Sequence, residues 1–568
     1  MKIVRRLDGN SCLPKWDLDP ILTRIFWSRG IRDPRELSYS LSRLQQPLFK
    51  DLELATALIA QAIIDNTDIL VAGDYDCDGA TSTALALRFF KTIEYHHVTY
   101  SIPNRNSEGY GLSVPMVEKA HAQGVGLIIT VDNGISALEA VAKAQKLGIK
   151  VVITDHHLPP QKLPAAEAIV NPQREDCTFK SKNIAGVGVI FYVLTSVCRA
   201  LEKAGYFAQR DLMVPDMRTF LDLVAVGTVA DVVPMDYNNR VMVSYGIDLI
   251  RRKNTSQGLK ELIRLAKCPL SNFTSSTIGF GLSPRLNAAG RLDDMCHGVD
   301  CLLTDEEYDA RVKAAFLDGL NGRRRELEKH MLVHAHELIT KVRSETLASI
   351  VIYSDSFLRG ISGVVASRLQ EEFLQPVVVF ADGSEPGTLI GSARAGGDFH
   401  MRESLEFIAE SYPNEVLAFG GHKTAAGITI KSEFLGKFRS LLERVALASQ
   451  PHGQEKVFVT DGELPPGYII APFARTLVFD QPWGKDFATP EFDGVFMLLK
   501  MRVVGAHLRV LLRLADGREI WGMYFYFDQA LWPASGPGMV RLVYGLDINS
   551  NRDDASISLI VRGMEPWR

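Results

Sequence analysis

Ile69-Leu70-Val71-Ala72-Gly73-Asp74-Tyr75-Asp76-Cys77-Asp78-Gly79 joins an apolar run to three alternating aspartates. A run this short, ended by glycine, reads as a buried strand. Carboxylates crowded at its end repel one another unless something positive lies between them. Clustered aspartate oxygens suit hard divalent ions such as Mg²⁺ or Mn²⁺. An Asp-rich turn with solvated charges is the other reading, and the stretch alone does not choose between them.

Outward from this point, residues 55 to 235 alternate strand and helix. Ala80 to Ile93 reads as a helix, Val98 to Ile102, Gly126 to Val131 and Lys150 to Thr154 as strands, and Ser136 to Leu147 as another helix. Such alternation predicts a parallel sheet covered by helices, which binds ligands outside the carboxyl ends of its strands. Those ends are polar. Asp132-Asn133-Gly134 follows Ile128-Ile129-Thr130-Val131, Asp155-His156-His157 follows Val151-Val152-Ile153-Thr154, and Asp231 closes the apolar stretch from Leu221 to Ala230. Each is ordinary alone. Together they supply enough oxygen and imidazole for two metal ions, and a pair about 3.5–4 Å apart is the usual arrangement for cleaving phosphate esters.

Farther along, Glu306 to Ile339 is charged, helical in period and free of proline, and predicts a long connecting helix. Arg323-Arg324-Arg325 near its middle reads as a solvated face. Strands at Ser349 to Tyr353, Pro376 to Phe380 and Leu389 to Ser392 indicate a second α/β unit. After a break at Gln450-Pro451-His452-Gly453, Val495 to Val504, Leu508 to Leu514 and Glu519 to Phe527 are β-rich, with Asp516-Gly517 as a hairpin turn, and predict a small barrel. Alternation would bury about half of Tyr524, Phe525, Tyr526 and Phe527, placing most of these aromatics in the core. Residues 1–50 carry only weak helical signals.

The 568 residues are too many for one core. A net charge of −4 means that any basic groove must be local. Seven scattered cysteines, with no Cys-x-x-Cys pair, suggest neither a zinc knuckle nor a disulfide framework. The start of the chain lacks the apolar core of a signal peptide, and no apolar run reaches membrane-spanning length. These features predict a cytoplasmic protein without a membrane partner.

The order Asp-x-Asp-x-Asp-Gly, Val-Asp-Asn-Gly, Asp-His-His and Gly-Thr-Val-Ala-Asp resembles the DHH phosphoesterase superfamily. Pro103 to Leu112 (Pro-Asn-Arg-Asn-Ser-Glu-Gly-Tyr-Gly-Leu), Pro284 to Arg291 (Pro-Arg-Leu-Asn-Ala-Ala-Gly-Arg) and Gly420 to Gly427 (Gly-Gly-His-Lys-Thr-Ala-Ala-Gly) narrow the likeness to its bacterial branch of single-strand-specific 5′→3′ DNA exonucleases. The resemblance covers nearly the whole chain. It implies an α/β multidomain fold: an N-terminal segment (1–54), a parallel-sheet DHH domain (55–304), a long connecting helix (305–344), a second α/β domain of DHHA1 type (345–450) and a C-terminal OB-like β-barrel that binds nucleic acid (453–568). It implies two divalent cations, Mn²⁺ or Mg²⁺, on Asp74, Asp76, Asp78, Asp132, His156 and Asp231, with Asp132 as the bridge. Asp76, Asp78, Asp132, His156, His157 and Asp231 would form the catalytic set, Asp155 would brace it, and Asp74 either touches metal or braces its neighbours. Arg105, Arg285, Arg291, Ser392, Arg394, Gly420, Gly421 and His422 would hold the substrate. The implied partner is single-stranded DNA, processed by a monomer in DNA repair and recombination alongside a single-strand-binding protein and a helicase.

Two alternatives stand beside this. A DHH hydrolase of short oligonucleotides, cyclic dinucleotides or pyrophosphate would share the acidic motifs but would not need a barrel and a long track. An inactive scaffold that clamps single strands would keep the fold but not the full acidic set.

Overall fold

The computed structural model describes residues 1–7, 13–105, 108–342, 348–449, 457–527, 538–549 and 556–567. Asn106 and Ser107, the break at Gln450-Pro451-His452-Gly453, and the expected unit edges at 345, 450 and 453 lie outside the described residues.

The first sheet has five parallel strands in the order Val98–Ser101, Ile69–Ala72, Leu127–Val131, Lys150–Thr154, Ala168–Val170. After the Ile69–Ala72 strand the chain steps to one side, and it then returns to build on the other. The topological switch point therefore lies between Ile69–Ala72 and Leu127–Val131, where open α/β sheets bind ligands. Both faces are covered: Ile69, Val71, Ile129 and Val131 pack with Leu85, Phe89 and Val224, and Leu70, Ile128 and Ile153 pack with Val117 and Val141. Burial on both sides is why these strands read as unbroken apolar runs. The last strand, Ala168–Val170, escaped the sequence because three residues show no period. The helix expected from Ala80 begins earlier, spanning Cys77–Thr92, because Asp76 caps it through the backbone N–H groups of Asp78 and Gly79.

The connecting helix is confirmed as Glu307–Val342. Its first half sends Ala314, Leu317 and Leu320 into the core of the first sheet's helices, and its second half sends Met331, Ala335 and Ile339 against Ile350, Ile361 and Val365. One helix thus belongs to two cores. The arginine run is not uniformly solvated as expected. Arg323 and Arg325 are exposed, but Arg324 is largely covered and pairs with Glu328 at 2.9 Å.

The second sheet is mixed, in the order Val416–Gly421, Ala425–Lys431, Thr388–Arg394, Val377–Asp382, Ile350–Tyr353, with only the last pair parallel. The hairpin formed by its first two strands went unread because Leu417 to Gly421 is exposed throughout and offers no apolar alternation. Five strands, Phe492–Val504, His507–Arg513, Glu519–Tyr524, Ser556–Pro566 and Gly538–Asn549, close the C-terminal barrel. Asp516-Gly517 lies in the turn between the second and third of these. The Glu519–Tyr524 strand ends before the aromatic cluster does, so alternation does not bury the remainder: Phe525 is 47% and Tyr526 77% exposed. No helix among the described residues is long and apolar enough to cross a membrane.

Residues 1–7 and 13–50 acquire a clear structural role. Lys2–Arg5 pairs in parallel with Val457–Thr460. Arg29 donates to both oxygens of Asp461, at 2.6 and 2.9 Å, with each side chain 1% exposed. The beginning of the chain therefore fastens the barrel unit to the first sheet. Removing one partner of such a pair leaves the other charge buried and uncompensated, at a cost of about 3–5 kcal/mol. Arg29→Ala should lower the denaturation midpoint and raise hydrogen exchange at Val457–Thr460, whereas Arg35→Ala, which breaks an exposed pair with Asp33, should change stability by less than about 1 kcal/mol. Equal effects of the two substitutions would refute the clasp.

Candidate metal centre

The aspartate triplet occupies the strand-to-helix junction at the switch point. Asp74 lies in the loop after Ile69–Ala72, Asp76 caps the Cys77–Thr92 helix, and Asp78 lies in its first turn. Asp78 is fixed from a second direction, by the N–H groups of Gly186 at 2.7 Å and Val187 at 3.0 Å, which open the Gly186–Lys203 helix. A helix N-terminus holds a carboxylate by its free N–H groups and its dipole. Glycines make room for this packing. A Cβ on Gly186 would lie 2.6 Å from Asp132 Oδ1, one on Gly227 2.7 Å from Asp78 Oδ1, and one on Gly290 1.9 Å from the Tyr75 carbonyl oxygen.

Asp132-Asn133-Gly134 is more than a turn. Asp132 adopts a left-handed backbone, φ 63°. Asn133 donates to the Ala72 carbonyl at 3.0 Å and accepts from Leu112 N–H at 3.0 Å, tying two strand ends to the Gly111-Leu112 segment. Val232, directly after Asp231, is also left-handed, φ 57°. For a β-branched residue this is a strained conformation, of the kind found at functional sites.

The side chains converge. His156 Nε2 lies 3.0 Å from Asp132 Oδ1, 3.5 Å from Asp231 Oδ2 and 3.9 Å from Asp78 Oδ2. Potential ligand atoms cluster in three overlapping groups: Asp78, His156 and Asp231; Asp74, Asp76 and Asp132; and Asp132, His156 and His157, each within 4.8 Å. Asp132 and His156 each belong to two. Burial, reinforced by neighbouring carboxylates, pushes Asp74 and Asp132 well above the usual carboxylate range and lifts Asp78 and Asp231 to about 7. Burial and the charge of His157 push His156 down, favouring the neutral, ligating imidazole. Asp74 Oδ1, Asp132 Oδ1 and His156 Nε2 are buried without a hydrogen-bond partner. Carboxylates at close range that share no donor fit hard divalent cations.

Asp155 has a different task. It accepts from the N–H groups of His156 and His157 and from His157 Nδ1, the last at 2.7 Å, while its other oxygen accepts from Ile135 N–H. Burial opposes its charge, but the His157 hydrogen bond holds it down at about 2; that same bond overcomes burial to raise His157 to about 9. The Asp155 carboxylate therefore favours the protonated form of His157 beside the acidic cluster.

The predicted substrate residues divide. The Arg105 guanidinium lies over the Tyr75 ring at 4.9 Å. Arg291 donates to the Gly360 carbonyl across the junction with the second sheet's unit at 3.0 Å. Arg394 is aligned by Ser367 Oγ at 3.0 Å, with Ser392 on the same strand. Burial, then Arg105, depresses both Arg291, to about 10, and Arg394. No carboxylate pairs with Arg105, Arg291 or Arg394 among the described residues, so these like charges form an anion-attracting wall. Arg285 does not join them: it is tied to Asp318 at 2.9 Å and to the carbonyls of Gly281 and Leu265. Gly420 and Gly421 end an exposed strand, and Gly421 has φ 130°. His422 follows, its imidazole lowered by partial burial and then by the charge of His157. Asn287 was missed by the sequence reading; its Oδ1 accepts from Cys77 N–H at 2.8 Å and steadies the triplet. Its place between Arg285 and Arg291 in the Pro284–Arg291 stretch was the available signal.

Three family models match the chain: the DHH family N-terminal domain over residues 68–228, the DHHA1 domain over 346–448 and the RecJ OB domain over 460–563. The single-stranded-DNA-specific exonuclease RecJ of Escherichia coli is 42% identical, over 99% of this chain and 98% of its own length. That of Haemophilus influenzae is 39% identical over 96% of each. Among solved structures, RecJ from Thermus thermophilus in complex with Mn²⁺ superposes with a TM-score of 0.80 at 26% identity, covering all of this chain and 79% of that one.

The close approach of Gly186 to Asp132 generates a test. Gly186→Ala should displace that carboxylate, at an overpacking cost of about 1–3 kcal/mol. Mn²⁺ should raise the thermal unfolding midpoint of the unaltered protein by relieving carboxylate repulsion, and should raise that of Gly186→Ala much less. Equal gains would show that Gly186 does not guard the ion site.

Proposed function

Because the chain belongs to the RecJ family of DHH phosphoesterases, we propose that it is a single-stranded-DNA-specific exonuclease that hydrolyses phosphodiester bonds from the 5′ end with two Mn²⁺ or Mg²⁺ ions. The observation that carries the reading is the pair of ligand groups, Asp78/His156/Asp231 and Asp74/Asp76/Asp132, meeting at Asp132 and His156. When bound, the ions would supply a nucleophile at neutral pH and charge stabilisation for the leaving oxygen. Asp78, His156 and Asp231 would hold one and Asp74 and Asp76 the other, with Asp132 between them. His157, kept cationic by Asp155, would donate to the reacting phosphate.

The arginine wall sets the polarity. Arg105, Arg291 and Arg394, with Ser392, would take the phosphate at the 5′ end, since guanidinium matches phosphate oxygens in paired geometry. The exposed backbone of Gly420 and Gly421, with His422, would close the same pocket from the second sheet. On the barrel, exposed Trp521 lies under the Arg509 guanidinium at 4.1 Å, and Phe525 and Tyr526 flank His507. Such rings stack on any base at about 1–3 kcal/mol each, which suits digestion without sequence preference. A barrel and a bridging helix do not serve a hydrolase of dinucleotides, and an intact acidic set does not serve an inactive clamp. Family membership supports a role in cytoplasmic DNA repair and recombination, beside a helicase and a single-strand-binding protein.

Asp132→Ala should abolish hydrolysis while leaving single-strand binding within a few-fold. Digestion of a 5′-labelled single strand with Mn²⁺ should release the label first in short products, and duplex DNA should resist. Full activity of Asp132→Ala would refute the two-ion assignment; label retained on long products would refute the polarity.

A further inference from the structure

Gly484-Lys485-Asp486-Phe487 forms a two-residue turn, closed by Gly484 N–H to the Phe487 carbonyl at 3.0 Å and Phe487 N–H to the Gly484 carbonyl at 3.2 Å. Asp486 takes the left-handed position, φ 60°, that aspartate tolerates. The base of the turn is heavily braced. Trp483 and Phe487 are buried and stack at 4.8 Å, with Phe26 of the N-terminal segment parallel to both. Arg240 covers Phe487 at 4.5 Å and Arg29 covers Trp483 at 5.4 Å. The tip is braced against the catalytic unit too: Met235 N–H donates to the Lys485 carbonyl at 2.9 Å, and a Cβ on Gly484 would lie 2.6 Å from Met235 Cγ. Met235 is four residues after Asp231.

This scaffold presents an exposed lysine beside the segment that follows Asp231. No carboxylate pairs with the Lys485 ammonium among the described residues, and the turn that carries it is bonded to the segment following Asp231. The Lys485 charge lies within electrostatic reach of Asp231. His422, from the second sheet's unit, is lowered by burial and then by the cations His157, Arg402 and Lys485. Arg105 acts instead on Asp74, at the other end of the carboxylate row. A turn that only filled a corner would not need a free cation at its tip, held by the backbone of the segment that carries Asp231.

We propose that Lys485 binds a backbone phosphate of the DNA strand on the Asp231 side of the metal centre, opposite the arginine wall. The chain runs from this turn directly into the first barrel strand, so the phosphate it grips belongs to the part of the strand on the 3′ side of the scissile bond, between the ions and the barrel. The inference rests on the exonuclease reading and adds to it a second phosphate contact, contributed to the active site by the segment leading into the barrel.

Full-length Lys485→Ala and Lys485→Arg test this on a 5′-labelled single strand. Single-turnover digestion with Mn²⁺ gives the maximal rate and the half-saturating enzyme concentration; binding in EDTA across a salt series gives the slope of log K against log salt. For Lys485→Ala, half-saturation should rise roughly tenfold, the salt slope should flatten by about 0.7, the value of one phosphate contact on a single strand, and the unfolding midpoint should not move. Lys485→Arg should restore slope and half-saturation. An unchanged slope with unchanged half-saturation overturns the inference, as does a loss accompanied by a lower unfolding midpoint that arginine fails to restore. If the unaltered protein does not digest DNA, the exonuclease reading falls, and the inference falls with it.

Discussion

Mutual repulsion among buried carboxylates is the constraint on which the rest of this structure depends. Asp74, Asp78 and Asp132 are almost completely shielded from water, and Asp231 joins Asp78 and Asp132 around the His156 imidazole. Placing several such charges side by side is untenable without cations or protons. The fold answers by aiming donors at them. The start of the Gly186–Lys203 helix holds Asp78, the start of the Cys77–Thr92 helix holds Asp76, and His157 stands by as a cation fixed through Asp155. What these donors leave uncompensated is the inner face of the cluster, and there the unpartnered oxygens and imidazole nitrogen meet.

That arrangement requires a parallel sheet with a switch point. Only where the chain reverses its direction of building do adjacent strand ends diverge enough to leave a crevice, and Asp74 and Asp132 flank that crevice. The glycines follow from the same demand. Gly186, Gly227 and Gly290 do not terminate helices; they let helix backbones approach the carboxylates and the triplet loop more closely than any side chain would allow. The left-handed backbone at Asp132 and Val232 is a further cost of bringing ligands from different elements to one point.

Much of this was legible in the sequence because the relevant residues are consecutive. A strand followed at once by acids announces itself, and so do Asp-Asn-Gly and Asp-His-His after apolar runs. The parallel sheet, the long helix and the barrel each have a period or a composition of their own. What escaped lacked such a mark. Ala168–Val170 is too short to show one. The strand ending at Gly420 and Gly421 is exposed on both faces after Val416. Arg324 belongs to a run that looks solvated, but it is claimed by Glu328 from the next turn of the same helix; Arg285, inside a stretch that otherwise serves the site, is claimed by Asp318. Sequence proximity to a motif does not say which partner a guanidinium will find. Phe525 and Tyr526 are exposed because their strand stops at Tyr524, a boundary set by barrel closure rather than by local preference.

The least legible relationship joins the two ends of the chain. Nothing local in Lys2–Arg5 or Phe26 indicates that they support a turn near residue 485. The parallel pairing with Val457–Thr460, the Arg29–Asp461 pair and the Phe26–Trp483–Phe487 stack act together: they position the barrel and the segment leading into it against the segment that follows Asp231. The barrel is thereby more than an appended binding module. It shares one continuous core with the catalytic sheet's helices through Trp483, Phe487 and Phe492, so a strand lying on it would be held in fixed register with the metal centre. A flexibly tethered barrel could raise the local concentration of DNA, but it could not fix where the first phosphodiester bond falls relative to the ions. The clasp at the N-terminus would supply that register, and with it a physical basis for removing nucleotides from an end rather than cutting wherever a strand touches the acidic cluster.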